Sequence, residues 1–202
     1  MRRPRLTALL IGLLAVTLTA CSTTAFHSTW KAPDAKPVSA TGEKVIALVV
    51  NANEASRRAA EDALARELTK RGAVGIAAYT ILGGTYVRDE RQIKEAFEKT
   101  GAVGVVVVRP VVKEKEVYST PSVYMGPYGT FWGGYYGNAW AGGQVRTDTI
   151  VIVETLVYSL RQNKLVWAGE SRTTNPTNVD AFVEELVAEA AEAMKKQGVI
   201  AN

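Results

Sequence analysis

Val103-Gly-Val-Val-Val-Val-Arg-Pro-Val-Val-Lys-Glu-Lys-Glu-Val117 and Arg146-Thr-Asp-Thr-Ile-Val-Ile-Val-Glu-Thr-Leu-Val-Tyr-Ser-Leu160 decide the fold of this chain. Val103 to Val108 does not alternate, which is the pattern of a strand covered on both faces, and Lys113 to Glu116 reads as the same strand running out into solvent. Ile150-Val-Ile-Val153 is a second apolar core of the same kind. Between the two segments, Tyr118 to Gln144 is rich in glycine and aromatic residues and has no charged side chain. The predicted unit is therefore a strand, a long tip (118–144) and a return strand.

Working outward, Lys44 to Val50 is a short apolar strand, and Asn51 or Asn53 can cap the helix after it. Ala60, Leu64 and Leu68 fall at i, i+4 and i+8 within Glu54 to Arg71, an amphipathic stripe for which Gly72 supplies the left-handed residue at the C-terminal end. Val74 to Leu82 is predicted as a strand ending at Gly83-Gly84. Asp89-Glu-Arg-Gln92 has the form of a capping box, opening a short helix that buries Ile93, Ala96 and Phe97 and stops at Gly101. Beyond the return strand, Arg161 to Lys164 is a polar hairpin turn into a strand from Leu165 to about Thr173. Asn175-Pro-Thr-Asn178 then caps a last helix, Val179 to Gln197, whose stripe is Phe182, Val183, Leu186, Val187, Ala190 and Met194. The order β-α-β-α-β-β-β-α predicts an α/β (α+β) fold with a single mixed β-sheet of about five strands and three helices. The sheet is parallel where helices cross over and antiparallel where hairpins connect.

The chain has 202 residues, 47% of them hydrophobic, enough for one domain with a substantial core. A pI near 9.2 raises the question of nucleic acid. Arg2, Arg3 and Arg5, however, belong to the leader, and without them Lys and Arg exceed Asp and Glu by a single charge. No basic stripe is left, and no nucleic-acid partner is expected.

Residues 1–20 read as a signal peptide: a basic start, then an apolar run from Leu6 to Leu18 that falls short of the roughly 20 residues of a membrane-spanning helix. Leu18-Thr19-Ala20-Cys21 comes next, and Cys21 is the only cysteine. This motif resembles the lipobox of bacterial lipoproteins. The resemblance implies that Cys21 becomes the first mature residue and carries acyl chains such as palmitate. Ser22, in place of the aspartate that marks inner-membrane retention in such proteins, implies an outer-membrane anchor facing the periplasm. Residues 21–43, rich in Ser, Thr, Ala, Pro and Lys, are predicted as a flexible tether, with Phe26 and Trp30 able to dock on the domain of 44–202.

Three stretches carry a further resemblance: Ser28-Thr-Trp30-Lys, Val45-Ile-Ala-Leu-Val-Val50 and Tyr158-Ser-Leu-Arg-Gln-Asn-Lys-Leu-Val-Trp167. They resemble a group of uncharacterised proteobacterial lipoproteins. More distantly, they resemble the periplasmic domain shared by the N-terminal part of the Tol-system B protein and the curli-secretion lipoprotein. The resemblance bears on fold more than on function.

Chemistry is sparse. The one histidine, His27, lies in the expected tether and is read as a solvated linker residue. One His and one acylated Cys cannot build a zinc site. Gly83-Gly84-Thr85 lacks the spacing of a phosphate-binding loop, so no cofactor is expected. Glu154, inside an apolar strand, is the carboxylate to inspect for a glycosidase-like pair, and its alternative is a charged partner or solvent. The remaining candidate is the tip, with Tyr124, Tyr128, Phe131, Trp132, Tyr135, Tyr136 and Trp140 set among glycines. Three covers are open to those rings: the domain itself, a membrane interface, or a partner, whether protein, glycan or a second copy. Pro121 and Pro127 argue against regular membrane-spanning strands. The expectation is a non-enzymatic, lipid-anchored envelope protein with an assembly or interaction role, self-association included. The alternative is a lipid-anchored hydrolase acting on the cell wall.

Overall fold

A computed structural model describes residues 23–50, 53–83, 90–119 and 145–200. The strands are β1 (Thr24–Lys31), β2 (Lys44–Val49), β3 (Val74–Ala77), β4 (Gly104–Ser119), β5 (Val145–Ser159) and β6 (Lys164–Thr174). The helices are α1 (Glu54–Lys70), α2 (Ala78–Leu82), α3 (Glu90–Lys99) and α4 (Val179–Lys196). The strands form one mixed sheet of order β1-β6-β5-β4-β2-β3. β2 pairs in parallel with β3 and β4, whereas β4–β5, β5–β6 and β6–β1 are antiparallel.

The parallel half arises from the two apolar strands and the helix between them. Ile46 and Val105 lie beside each other in register, and with Phe97 they form a core under α2 and α3. Ala47, Val49 and Val108 point to the other face and pack with Leu64 of α1 and Val183, Leu186 and Val187 of α4. These strands are thus covered on both sides, as the continuous valine run requires. Asn53 caps α1 by accepting the Ser56 amide at 2.9 Å, and Asn178 caps α4 by accepting that of Ala181 at 2.9 Å. Gly72, with φ +91°, ends the first helix in the left-handed region. The predicted cap Asp89 lies outside the described residues.

Two expectations are corrected. Residues 23–43 are not a flexible tether: Thr24–Lys31 is the sixth strand, at one edge of the sheet, and residues 32–38 are docked on the domain as well. Ala32 donates its amide to Val166 at 3.1 Å, Val38 donates its own to Val199 at 2.7 Å, and Lys164 pairs with Asp34 at 2.7 Å. The driving contact is Phe26, whose ring meets the fully buried Trp167 edge-on at 5.4 Å. The second correction is that the strand predicted over Val74 to Leu82 ends at Ala77. Ala78–Leu82 turns into a short helix because a buried carboxylate, Glu61, takes the Tyr79 amide at 2.8 Å. These changes bring the count to six strands and four helices within the predicted class.

The two longest strands run past the rest of the sheet. The last β5–β6 pair is Ile150 with Thr174, but β4 and β5 stay paired for five further rows, to Ser119 and Val145. At about 3.4 Å per residue that two-stranded ribbon projects roughly 17 Å. Pro110, which cannot donate to the ladder, coincides with a bulge between Pro110 and Val112 at the ribbon's base.

Candidate functional site

Of the residues singled out from sequence, Cys21 and the tip residues Tyr124, Tyr128, Phe131, Trp132, Tyr135, Tyr136 and Trp140 lie outside the described residues. The surroundings of both are nonetheless defined. The pairing of Ser119 with Val145 brings the two ends of the tip segment side by side at the end of the ribbon. Thr23, two residues after Cys21, accepts the Thr174 amide at 3.1 Å. The N-terminal segment and the ribbon therefore leave the domain from the same end.

That end also holds a cleft. The C-terminal end of β2 and the N-terminal ends of α1 and α4 converge there over the base of the ribbon. They enclose about 530 Å³ lined by Ala60, Leu64, Val111, Val151, Val179 and Phe182 among others. Among the described residues its polar liners are Ser56 and Asn178, and the Asn178 side chain is occupied as the α4 cap. A second cavity, of about 580 Å³, lies towards the other ends of α1 and α4, with Thr155, Val157, Ala190 and Met194 in its lining. Thr155 Oγ1, and Ser171 Oγ on the same face of the sheet, are buried without a hydrogen-bond partner.

Glu154 does not stand alone. The Arg109 guanidinium on β4 pairs directly with its carboxylate, and the side chains are 55% and 26% exposed, so the bond contributes little to stability. Across β6, Glu170 is directly opposite Glu154 in register. His27 is then corrected as well: it sits on β1 with Nε2 2.6 Å from Glu170 Oε1, so it is not a solvated linker residue. Arg109, Glu154, Glu170 and His27 thus stand in a row across four strands of the face opposite α1 and α4. Neither glutamate lines either cavity.

One polar cluster was missed entirely. Glu61, with no exposed surface, accepts from Arg57 Nη1 at 3.2 Å, the Val49 amide at 3.3 Å and the Tyr79 amide at 2.8 Å. Arg57, 2% exposed, also donates to Glu54 through Nη2 at 2.5 Å. Tyr79 donates its hydroxyl to Asp62 at 3.0 Å, which raises its pKa, and the cation of Arg58 lies 5.1 Å from its ring centre. These groups tie β2, α1 and α2 together. The i, i+4 spacing of Arg57 and Glu61 was the available signal, but on a helix it is also the commonest surface pattern.

Among the described residues, no group of three or more His, Cys, Asp or Glu side chains is placed to hold a metal ion, and no helix is long and apolar enough to cross a membrane.

No protein-family model matches the chain, and no curated protein matches it. Solved structures similar in fold include the PelC dodecamer from Paraburkholderia phytofirmans, with TM-score 0.45 and 13% identity over 80% of this chain and 93% of that one. A single-substitution form of that dodecamer gives TM-score 0.45 and 12% identity over 80% and 95%. Lipoprotein GNA1162 from Neisseria meningitidis gives TM-score 0.44 and 11% identity over 77% and 99%. Likeness at this level carries no information on activity or partners.

Proposed function

We propose that this chain is a lipid-anchored cell-envelope protein of the outer membrane, facing the periplasm, with a non-catalytic role in assembly or interaction. The observation that carries the reading is Leu18-Thr19-Ala20-Cys21 at the end of a short apolar run, with the first strand starting at Thr24. Acyl chains on Cys21 would hold the domain against the membrane, each buried methylene contributing about 0.8 kcal/mol. The partners we propose are the membrane through that lipid, and an envelope protein or a second copy through the uncharged Gly/aromatic tip. The aromatic residues and the lack of charge in the sequence of that segment support contact with a partner.

The test compares the full chain with a form in which residues 120–144 are replaced by a four-residue turn, which the Ser119–Val145 pairing accommodates. Both are purified from envelope membranes in mild detergent. Co-purifying protein, or self-association, that is lost with the tip supports the reading, and an unchanged set of associates opposes it. The hydrolase reading keeps one observation in its favour, the facing carboxylates Glu154 and Glu170 with His27 beside the second. Release of peptidoglycan fragments that stops with Glu154→Gln would establish it.

A further inference from the structure

We infer that the 530 Å³ cleft between the N-terminal ends of α1 and α4 takes an acyl chain of a membrane phospholipid. The inference rests on the lipid-anchor reading above. It adds a binding site on the folded domain that the anchor itself does not require.

Three independent features converge on this occupant. The first is where the chain enters. Cys21 precedes Thr23 by two residues, so it lies within about 7 Å of it along the chain. Thr23 is fixed in place: its amide and hydroxyl donate to Glu185 Oε2 at 3.2 and 2.9 Å, and its carbonyl accepts from Thr174. Pro176, two residues beyond Thr174, lines the cleft. An anchor at Cys21 would therefore tether the domain by the end that carries the mouth of the cleft. The β4–β5 ribbon leaves the domain from the same end.

The second feature is the chemistry of the walls. Among the described residues they are Val, Ala, Leu, Pro and Phe side chains apart from Ser56 and Asn178, with no charged residue. Such a site offers nothing to a headgroup and suits a hydrocarbon chain, and its size lies within the range of about 300 to 1,000 Å³ usual for bound small molecules. The third is the lip. Val111 is 49% and Val179 38% exposed on the cleft itself, and Val50, 49% exposed, adjoins the lining residue Val49. Interfacial protein segments bury apolar faces about 5 to 10 Å into the headgroup and acyl boundary, the depth at which these valines would meet lipid chains.

The full chain, purified from membranes, is reconstituted in phosphatidylethanolamine and phosphatidylglycerol vesicles. These contain a phospholipid with a photoreactive diazirine near the end of one acyl chain. After irradiation, labelled peptides are mapped by mass spectrometry, and the state of Cys21 is read from the same sample. The expected result is labelling concentrated in Ser56–Leu64, Pro110–Val111 and Val179–Val183. Val111→Asp with Val179→Asp, both on the exposed lip, should reduce it at least fivefold. Label absent from these peptides, or centred on Trp30 and Tyr158, overturns the inference even if the double variant cannot be prepared. Exclusion of phospholipid by the protein's own acyl chain gives that same negative result. An acylated Cys21 with an unlabelled cleft removes this inference alone. An unmodified Cys21 with a labelled cleft removes the anchor reading and leaves the site standing.

Discussion

Thr23 and Glu185 are 162 residues apart in sequence, yet the Glu185 carboxylate accepts both the amide and the hydroxyl of Thr23, and the Thr24 hydroxyl as well, at 3.0 Å. The start of β1 is thereby fastened to α4. Hydrogen bonds to a charged acceptor are worth about 1.5 to 3 kcal/mol when shielded and less at an exposed site such as this. Glu185→Ala should therefore destabilise the fold by about 1 kcal/mol. Hydrogen exchange should quicken at Thr24 to Phe26 before it does elsewhere in the sheet.

The Glu61 carboxylate is the most consequential buried group. Its removal takes an acceptor from Arg57 and from the Val49 and Tyr79 amides in one step. Breaking a buried ion pair from one side costs on the order of 3 to 5 kcal/mol. Glu61→Ala is expected to lower the melting temperature by about 10 °C, taking about 2 to 4 °C per kcal/mol for a chain of this size. Glu54→Ala, at the exposed end of the same network, should cost far less.

Gly169 is a steric requirement. A Cβ there would stand 2.5 Å from Trp167 Cη2 and 2.7 Å from the Phe26 ring, the two residues that close the β1–β6 edge. Gly169→Ala should destabilise by about 1 to 3 kcal/mol, as overpacking does. Phe26→Ala in the same background should recover part of the loss, which a double-mutant cycle by urea titration measures.

How far the sequence could be read depends on how each element is stabilised. The valine run 103–108, the α1 stripe Ala60-Leu64-Leu68 and the α4 stripe from Phe182 to Met194 bury continuous or periodic apolar residues, and they fold as the pattern predicts. Thr24–Lys31 has no such run: Thr24 is buried and Phe26 meets Trp167, but His27 to Trp30 are exposed, so its strand character comes from the open edge of β6. Ala78–Leu82 turns helical where Glu61, seventeen residues earlier than Ala78, accepts the Tyr79 amide. Neither cause is local. The apolar cleft was equally invisible, since it is assembled from β2, α1, β4, β5 and α4.

Acidity should act through Glu67. Burial raises its pKa, but hydrogen bonds from Lys70 and Arg71 outweigh this and hold it below the ordinary value of 4.5. A carboxylate lowered by folding contributes stability that is present above its unfolded pKa and is lost as pH falls through the folded one. Melting temperature should thus fall as pH drops from about 5 towards 3, and Glu67→Gln should flatten that slope while lowering the plateau at neutral pH.

The central claim, attachment through Cys21, is tested most directly by the intact mass and N-terminal peptide of the mature protein. The account predicts a chain that begins at Cys21 and carries a thioether-linked diacylglyceryl group, and a Cys21→Ala form that no longer fractionates with membranes. A mature chain that begins elsewhere, or an unmodified Cys21 thiol, would contradict it.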